Sequence, residues 1–236
     1  MHVRVGTSGY SYKEWLGRFY PEKLPQAQML GFYASRFPTV EINNTFYRMP
    51  ARELLERWGG ETPDSFTFVL KAPQRITHQK RLGDVGADVS YFLETAAVLG
   101  SKLGPVLYQL PPYMKKDTER LRSFLERLPP DPPAAFEFRH ESWFDDEIAT
   151  ALRDHGRALC LADVDEEGKA GGDLVPTASW GYLRLRRQEY SDADLAAWAD
   201  RIRAQPWERA FVFFKHEDEA KGPELAARLS ARLGTA

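Results

Sequence analysis

Side chains able to hold charge or move protons recur where short apolar runs end. Ser8 follows His2–Val5, Glu41 and Asn43 lie in Val40–Asn43, Lys71 closes Phe66–Lys71, and Gln109 lies in Val106–Leu110. Glu137 and Arg139 lie in Ala135–Arg139, Asp163 follows Ala158–Ala162, Arg184 lies in Tyr182–Leu185, and Lys215 with His216 ends Phe211–Lys215. Carboxylates transfer protons or bind cations, whereas Lys and Arg meet acceptor-rich groups such as phosphate. One chemistry uses Glu41 and Glu137 as an acid/base pair, Asp163 and Lys71 as further catalytic groups, and Arg139 with Arg184 as an anion clamp. Another makes Glu41, Glu137, Asp163 and His216 ligands of a divalent metal in a nucleic-acid hydrolase. A third is a barrel that binds a metabolite or partner and performs no chemistry.

The apolar runs must be positioned by a repeating architecture. Segments of helical spacing separate most of them, and that alternation is the signature of βα units around a parallel sheet. A chain of 236 residues fits a single (β/α)8 TIM-type barrel, for which about 250 is typical. An open doubly wound sheet is the alternative. Pro25 opens a helix carrying Met29, Tyr33 and Phe37, and Asp117 precedes the stripe of Leu121, Phe124, Leu125 and Leu128. Gly156 closes the helix of Ile148 and Leu152, Ser191 and Asp194 form a capping box, and Pro223 opens the last helix. The glycines, proline and scattered charges between Val164 and Ser179 predict that the sixth helix is missing or very short. The chain reads as one domain over residues 1–236.

Strand alternation gives the charges a direction. Phe136 and Phe138 share one face and Glu137 and Arg139 the other, so the charged pair should point into the barrel. The same parity sends Glu41, Asn43 and Arg184 inward, and the carboxyl ends of a parallel barrel meet at one mouth. Gly6-Thr7-Ser8-Gly9-Tyr10 could bring backbone N–H groups to an anion. Phe46, Tyr47, Trp143 and Tyr190 could stack on a sugar ring or base, or cover the core, and Tyr10 is a further substrate-binding candidate. His78 suits a general base, a metal ligand or a solvated side chain. Cys160, inside a strand, reads as a buried thiol.

Composition narrows the partners. The chain carries 32 Lys and Arg against 34 Asp and Glu, so its net charge of −2 supplies no long-range attraction to nucleic acid or anionic lipid. A small anionic or sugar-containing ligand is the leading partner, and nucleic acid is weakly supported. A single cysteine excludes an intramolecular disulfide. No run of 18 apolar residues suggests a membrane span, and a cytoplasmic location is expected. Dinucleotide, phosphate-loop, zincin and serine-hydrolase motifs are absent, so no nucleotide cofactor is expected and a divalent metal stays open.

The ordered motifs Gly6-Thr7-Ser8-Gly9-Tyr10, Phe19-Tyr20-Pro21, Val40-Glu41-Ile42-Asn43-Asn44-Thr45-Phe46-Tyr47, Thr77-His78, Leu107-Tyr108-Gln109-Leu110-Pro111-Pro112 and Glu137-Phe138-Arg139-His140-Glu141-Ser142-Trp143 closely resemble the YecE-like family, domain of unknown function 72. The resemblance implies a TIM-type barrel and carries no assigned reaction. Phe214-Lys215-His216 stands where many relatives resemble Phe-Asn-Asn, which sets the eighth strand end apart.

Overall fold

The structure, a computed structural model, describes residues 1–165, 174–215 and 218–235. Each apolar run forms a strand: β1 His2–Ser8, β2 Thr39–Ile42, β3 Thr67–Lys71, β4 Leu103–Gln109, β5 Ala134–Glu137, β6 Ala158–Asp163, β7 Trp180–Leu185 and β8 Arg209–Phe214. All neighbours pair in parallel and in chain order, and β8 returns to β1 in a register from His2↔Arg209 to Thr7↔Phe214. That last pairing closes the barrel and excludes the open sheet.

Helices α1 Met29–Ala34, α2 Asn44–Tyr47, α3 Arg52–Gly60, α4 Gly86–Ala96, α5 Thr118–Arg127, α6 Asp146–Asp154, α7 Asp192–Arg203 and α8 Lys221–Leu233 run between and after the strands. Their ends follow local chemistry. The Asp117 carboxylate accepts from the Arg120 amide, Ser191 and Asp194 cap α7 reciprocally, and Gly156 takes a positive φ of 62° just beyond α6. Two starts differ from the sequence expectation. Pro25 opens a short 3-10 turn ahead of α1, and α8 begins two residues before Pro223, which its first turn tolerates because those amides need no helical partner. No helix lies between β6 and β7 among the described residues, as the glycine-rich stretch predicts; residues 166–173 of that connection are outside them.

Alternation along the strands builds two cores. Val40, Ile42, Phe68, Leu70, Phe136, Phe138, Leu183 and Leu185 face outward and pack with helix residues such as Tyr33, Phe124, Leu152, Leu195 and Leu229. Val69, Leu107, Ala135, Cys160, Tyr182, Phe211 and Phe213 form a separate core inside the barrel. Two residues beyond Val69, Ala135 and Tyr182, the same inward faces carry Lys71, Glu137 and Arg184. The apolar plug is thus the floor on which the charged layer rests. No helix among the described residues is long and apolar enough to cross a membrane.

Candidate functional site

One guanidinium organises the barrel mouth. Arg184 donates from Nη2 to Glu41 Oε1 at 2.8 Å and from Nη1 to Glu137 Oε2 at 2.6 Å, joining β2, β5 and β7. Both carboxylates are fully buried. Ser8, the register partner of Glu41, donates its hydroxyl to Glu41 Oε1 at 2.6 Å, Asn43 donates to the same oxygen at 3.1 Å, and the Tyr182 hydroxyl donates to Oε2 at 2.7 Å. Burial by itself pushes Glu41 up, but the Arg184 charge and these hydrogen bonds outweigh it and hold the carboxyl below its usual range. Burial likewise opposes ionisation of Glu137, yet Arg184, Arg139 and Arg186 bring it down to about 2. The acid/base roles expected for Glu41 and Glu137 find no support in this arrangement: Glu41 is bonded by donors on both oxygens and Glu137 by Arg184 on one, and carboxylates held ionised in this way are poor proton carriers at neutral pH.

Among the described residues around this bridge, Lys71, Arg139, Arg184 and Arg186 outnumber Glu41 and Glu137. Arg139 Nε lies 2.5 Å from Glu137 Oε1, but neither atom finds a partner in hydrogen-bond geometry, so the contact is an ion pair without a directed bond. Arg186 is half-buried, and burial followed by the neighbouring Arg184 charge lowers its pKa. Lys71 is buried, its Nζ 4.1 Å above the centre of the Phe46 ring, with no carboxylate among the described residues in ion-pair reach. Burial, then Arg184 and Arg139, outweigh the pull of Glu137 and Glu41 and lower the ammonium to about 8. The Thr45 hydroxyl donates to the Lys71 carbonyl at 2.6 Å, which fixes α2 and its Phe46 over the amine. His78 meets Phe46 edge-on at 4.8 Å between ring centres, and burial with the Lys71 and Arg139 charges lowers its pKa and favours neutral imidazole. The sequence reading missed Arg186. The parity that points Arg184 inward also covers a residue two positions later, but Arg186 lies past the end of the strand, where alternation gives no assurance.

Other expected residues lie elsewhere. Asp163 alternates with inward-facing Ala162 and so shares the outer face of Leu161; its Oδ2 accepts from Arg187 Nε and from the Tyr190 hydroxyl, both at 2.9 Å. Arg187 continues to Asp194 at the start of α7, so this network ties β6 to a helix rather than to the Glu41–Arg184–Glu137 bridge. Trp143 is buried, stacked on outward-facing Phe138 at 4.6 Å and donating its indole N–H to the Met114 carbonyl. Tyr190 is buried against Phe214, and Tyr10 packs near Tyr33 and Trp58, with burial pushing its hydroxyl up to about 12. Three of the aromatic candidates thus cover the outer core, whereas Tyr47 is 73% exposed at the end of α2. Gly6, Thr7 and Ser8 belong to β1, and the Gly9 amide donates to the Glu41 carbonyl and the Thr7 amide to the Tyr33 hydroxyl, so neither of these amides is left for an anion. Gln109 is half-buried opposite Glu137 in register, and Lys215 is exposed after β8. Burial raises the Cys160 thiol well above its ordinary value.

The carboxylates present do not fit the divalent metal that the sequence leaves open. Both Glu41 oxygens and Glu137 Oε2 already accept from Arg, Ser, Asn or Tyr, and a dication would enter beside Lys71, Arg139, Arg184 and Arg186. Asp163 belongs to the separate network, and His216 lies outside the described residues. Among the described residues no cluster of three or more His, Cys, Asp or Glu is arranged for a metal ion.

A closed parallel barrel with a buried Glu–Arg–Glu bridge under further cations is a (β/α)8 TIM-type barrel with a charged mouth. The chain belongs to the family described as "Protein of unknown function DUF72", which it matches over residues 4–236. It is similar to the UPF0759 protein YunF of Bacillus subtilis, 29% identical over 188 residues that make up 74% of this chain and 64% of the relative. It is also 34% identical to the UPF0759 protein YecE of Escherichia coli K12, over 60% of this chain and 50% of the relative. The chain thus spans between half and two thirds of these relatives' lengths. A solved DUF72 structure from Thermotoga maritima superimposes with a TM-score of 0.87 at 27% identity, covering 99% of this chain and all of that one. A DUF72 structure from Enterococcus faecalis shares the fold, with a TM-score of 0.84 at 20% identity over 99% of this chain and 96% of that one.

Proposed function

We propose that the chain, acting as one domain, is an enzyme for a small anionic substrate, phosphorylated or carboxylated and sugar-like in size. Arg139 and Arg186 hold the anion, and Lys71 is the proton-transferring group. The carrying observation is the local imbalance of charge: Glu41 and Glu137 are both committed to Arg184, while Arg139, Arg186 and Lys71 share what remains of their negative potential. An anion entering there satisfies cations that the protein satisfies only in part. Glu41 and Glu137 are positioning residues that hold the Arg184 guanidinium still, and exposed Tyr47 offers a ring face to the uncharged part of the substrate.

Titration with inorganic phosphate at low salt, followed by calorimetry, tests the reading. Saturable binding that weakens at least tenfold in the double variant Arg139→Gln/Arg186→Gln is expected. Equal affinity in that variant and in the parent chain overturns it.

A further inference from the structure

Lys71 has a setting that proton transfer alone does not require. It is the last residue of β3, anchored through its carbonyl by Thr45, and its amine faces the mouth without a carboxylate in ion-pair reach among the described residues. The carboxylates that would otherwise keep it an ammonium ion are bonded to Arg184. An amine in this position is a nucleophile.

We propose that Lys71 forms an imine with its substrate, which makes the substrate class a small phosphorylated or carboxylated aldehyde or ketone. This rests on the anion reading above: Arg139 and Arg186 hold the anionic end and set the carbonyl carbon against Nζ. The neutral amine donates its lone pair to the carbonyl carbon, the carbon–oxygen π pair moves to oxygen, and a proton passes from nitrogen to that oxygen to give a carbinolamine. The carbon–oxygen bond then breaks as the hydroxyl takes a second proton, supplied by solvent, and leaves as water, while the nitrogen lone pair completes the C=N bond of a protonated imine. One water is released and nothing is oxidised or reduced. The Phe46 face under Nζ meets the positive charge of the protonated imine as it meets the ammonium. His78 lies close enough to feel the Lys71 charge, and its neutral ring can relay protons as water leaves. A protonated imine withdraws electrons from the neighbouring carbon, so the bond to break is a C–H or C–C bond one carbon from the former carbonyl.

The test uses the full chain with glycolaldehyde phosphate and with glyoxylate, uncharged glycolaldehyde as control, and sodium cyanoborohydride to reduce any imine to a stable secondary amine. Peptide mass spectrometry then locates the adduct. The expected result is modification of Lys71 ahead of every other lysine, at least tenfold faster with one or both anionic probes than with glycolaldehyde, suppressed by excess inorganic phosphate, and rising with pH through about 8. Trapping by glycolaldehyde phosphate alone assigns a phosphorylated substrate, and by glyoxylate alone a carboxylated one. Adducts spread evenly over surface lysines, or none at Lys71, overturn the imine. Phosphate binding measured on the same preparation separates the two claims: binding that depends on Arg139 and Arg186 without trapping at Lys71 removes the imine alone, and neither phosphate binding nor trapping by either anionic probe removes both.

Discussion

Arg184 and Glu137 are joined by a 2.6 Å bond from Nη1 to Oε2 deep in the barrel mouth, where the carboxylate has no solvent exposure. The other arm of the same guanidinium holds Glu41 at 2.8 Å. Burial of so much charge requires mutual neutralisation: the two carboxylates offset Arg184 and Arg139, which pairs with Glu137 Oε1, and leave Lys71 and Arg186 in excess among the described residues.

Removing a partner from this bridge is expected to be severe. Glu137→Gln leaves Arg184, Arg139 and Arg186 close together without their shared counter-ion, and a loss of about 3–5 kcal/mol at pH 7 follows from the usual behaviour of broken buried pairs. The pH dependence has a defined sign. The Glu137 carboxyl is held at about 2 in the fold against an ordinary 4.5, so its stabilisation is complete above 4.5 and disappears as pH falls towards 2. Urea unfolding from pH 7 down to pH 3 should show the gap between parent and variant shrinking over that window; a constant gap contradicts the assignment.

Lys71→Met is expected to stabilise the protein at pH 7. The ammonium is lowered to about 8 from 10.5, so holding it charged in the fold opposes folding by at most ~3 kcal/mol. Because the folded value lies below the unfolded one, this penalty is fully present below pH 8 and fades as pH rises to 10.5. Denaturant curves at pH 7 and pH 10 check it: the variant's advantage should be largest at pH 7. A variant less stable than its parent at pH 7 shows instead that Lys71 is a structural group.

The positions of these residues were legible from the sequence to different depths. Strict alternation on β5 and β7 places Glu137 and Arg184 inward from sequence alone, because outward-facing Phe136, Leu183 and Leu185 need the helix layer. The same rule, applied to Asp163, reads outward: Asp163 follows inward-facing Ala162, and its charge drew attention that its parity did not support. Trp143 and Tyr190 were ambiguous for another reason, since an aromatic residue just past a strand can serve either the mouth or the outer core. Their partners, Phe138 with the Met114 carbonyl and Phe214 with Asp163, are set by loop paths that spacing does not encode.

Asp163→Asn should separate the two networks. It weakens the pair with Arg187, which in turn reaches Asp194 at the start of α7, and a destabilisation of about 1–2 kcal/mol is expected for a charge-assisted bond of this kind. Phosphate affinity should stay within twofold of the parent. A tenfold drop would place Asp163 in the anion site after all.

Cys160 faces the barrel interior with its thiol pushed well above the ordinary range by burial. Iodoacetamide at pH 8 should leave it unmodified in the native protein and alkylate it in urea. Rapid native-state alkylation would show that the interior core is open to solvent.

Crystals soaked in selenate and measured at the selenium edge test the central claim most directly. The account predicts an anomalous peak at the barrel mouth, contacted by the Arg139 and Arg186 guanidinium groups and the Lys71 amine. Selenate found only on surface arginines and lysines, with the mouth empty at concentrations that saturate those sites, would contradict it.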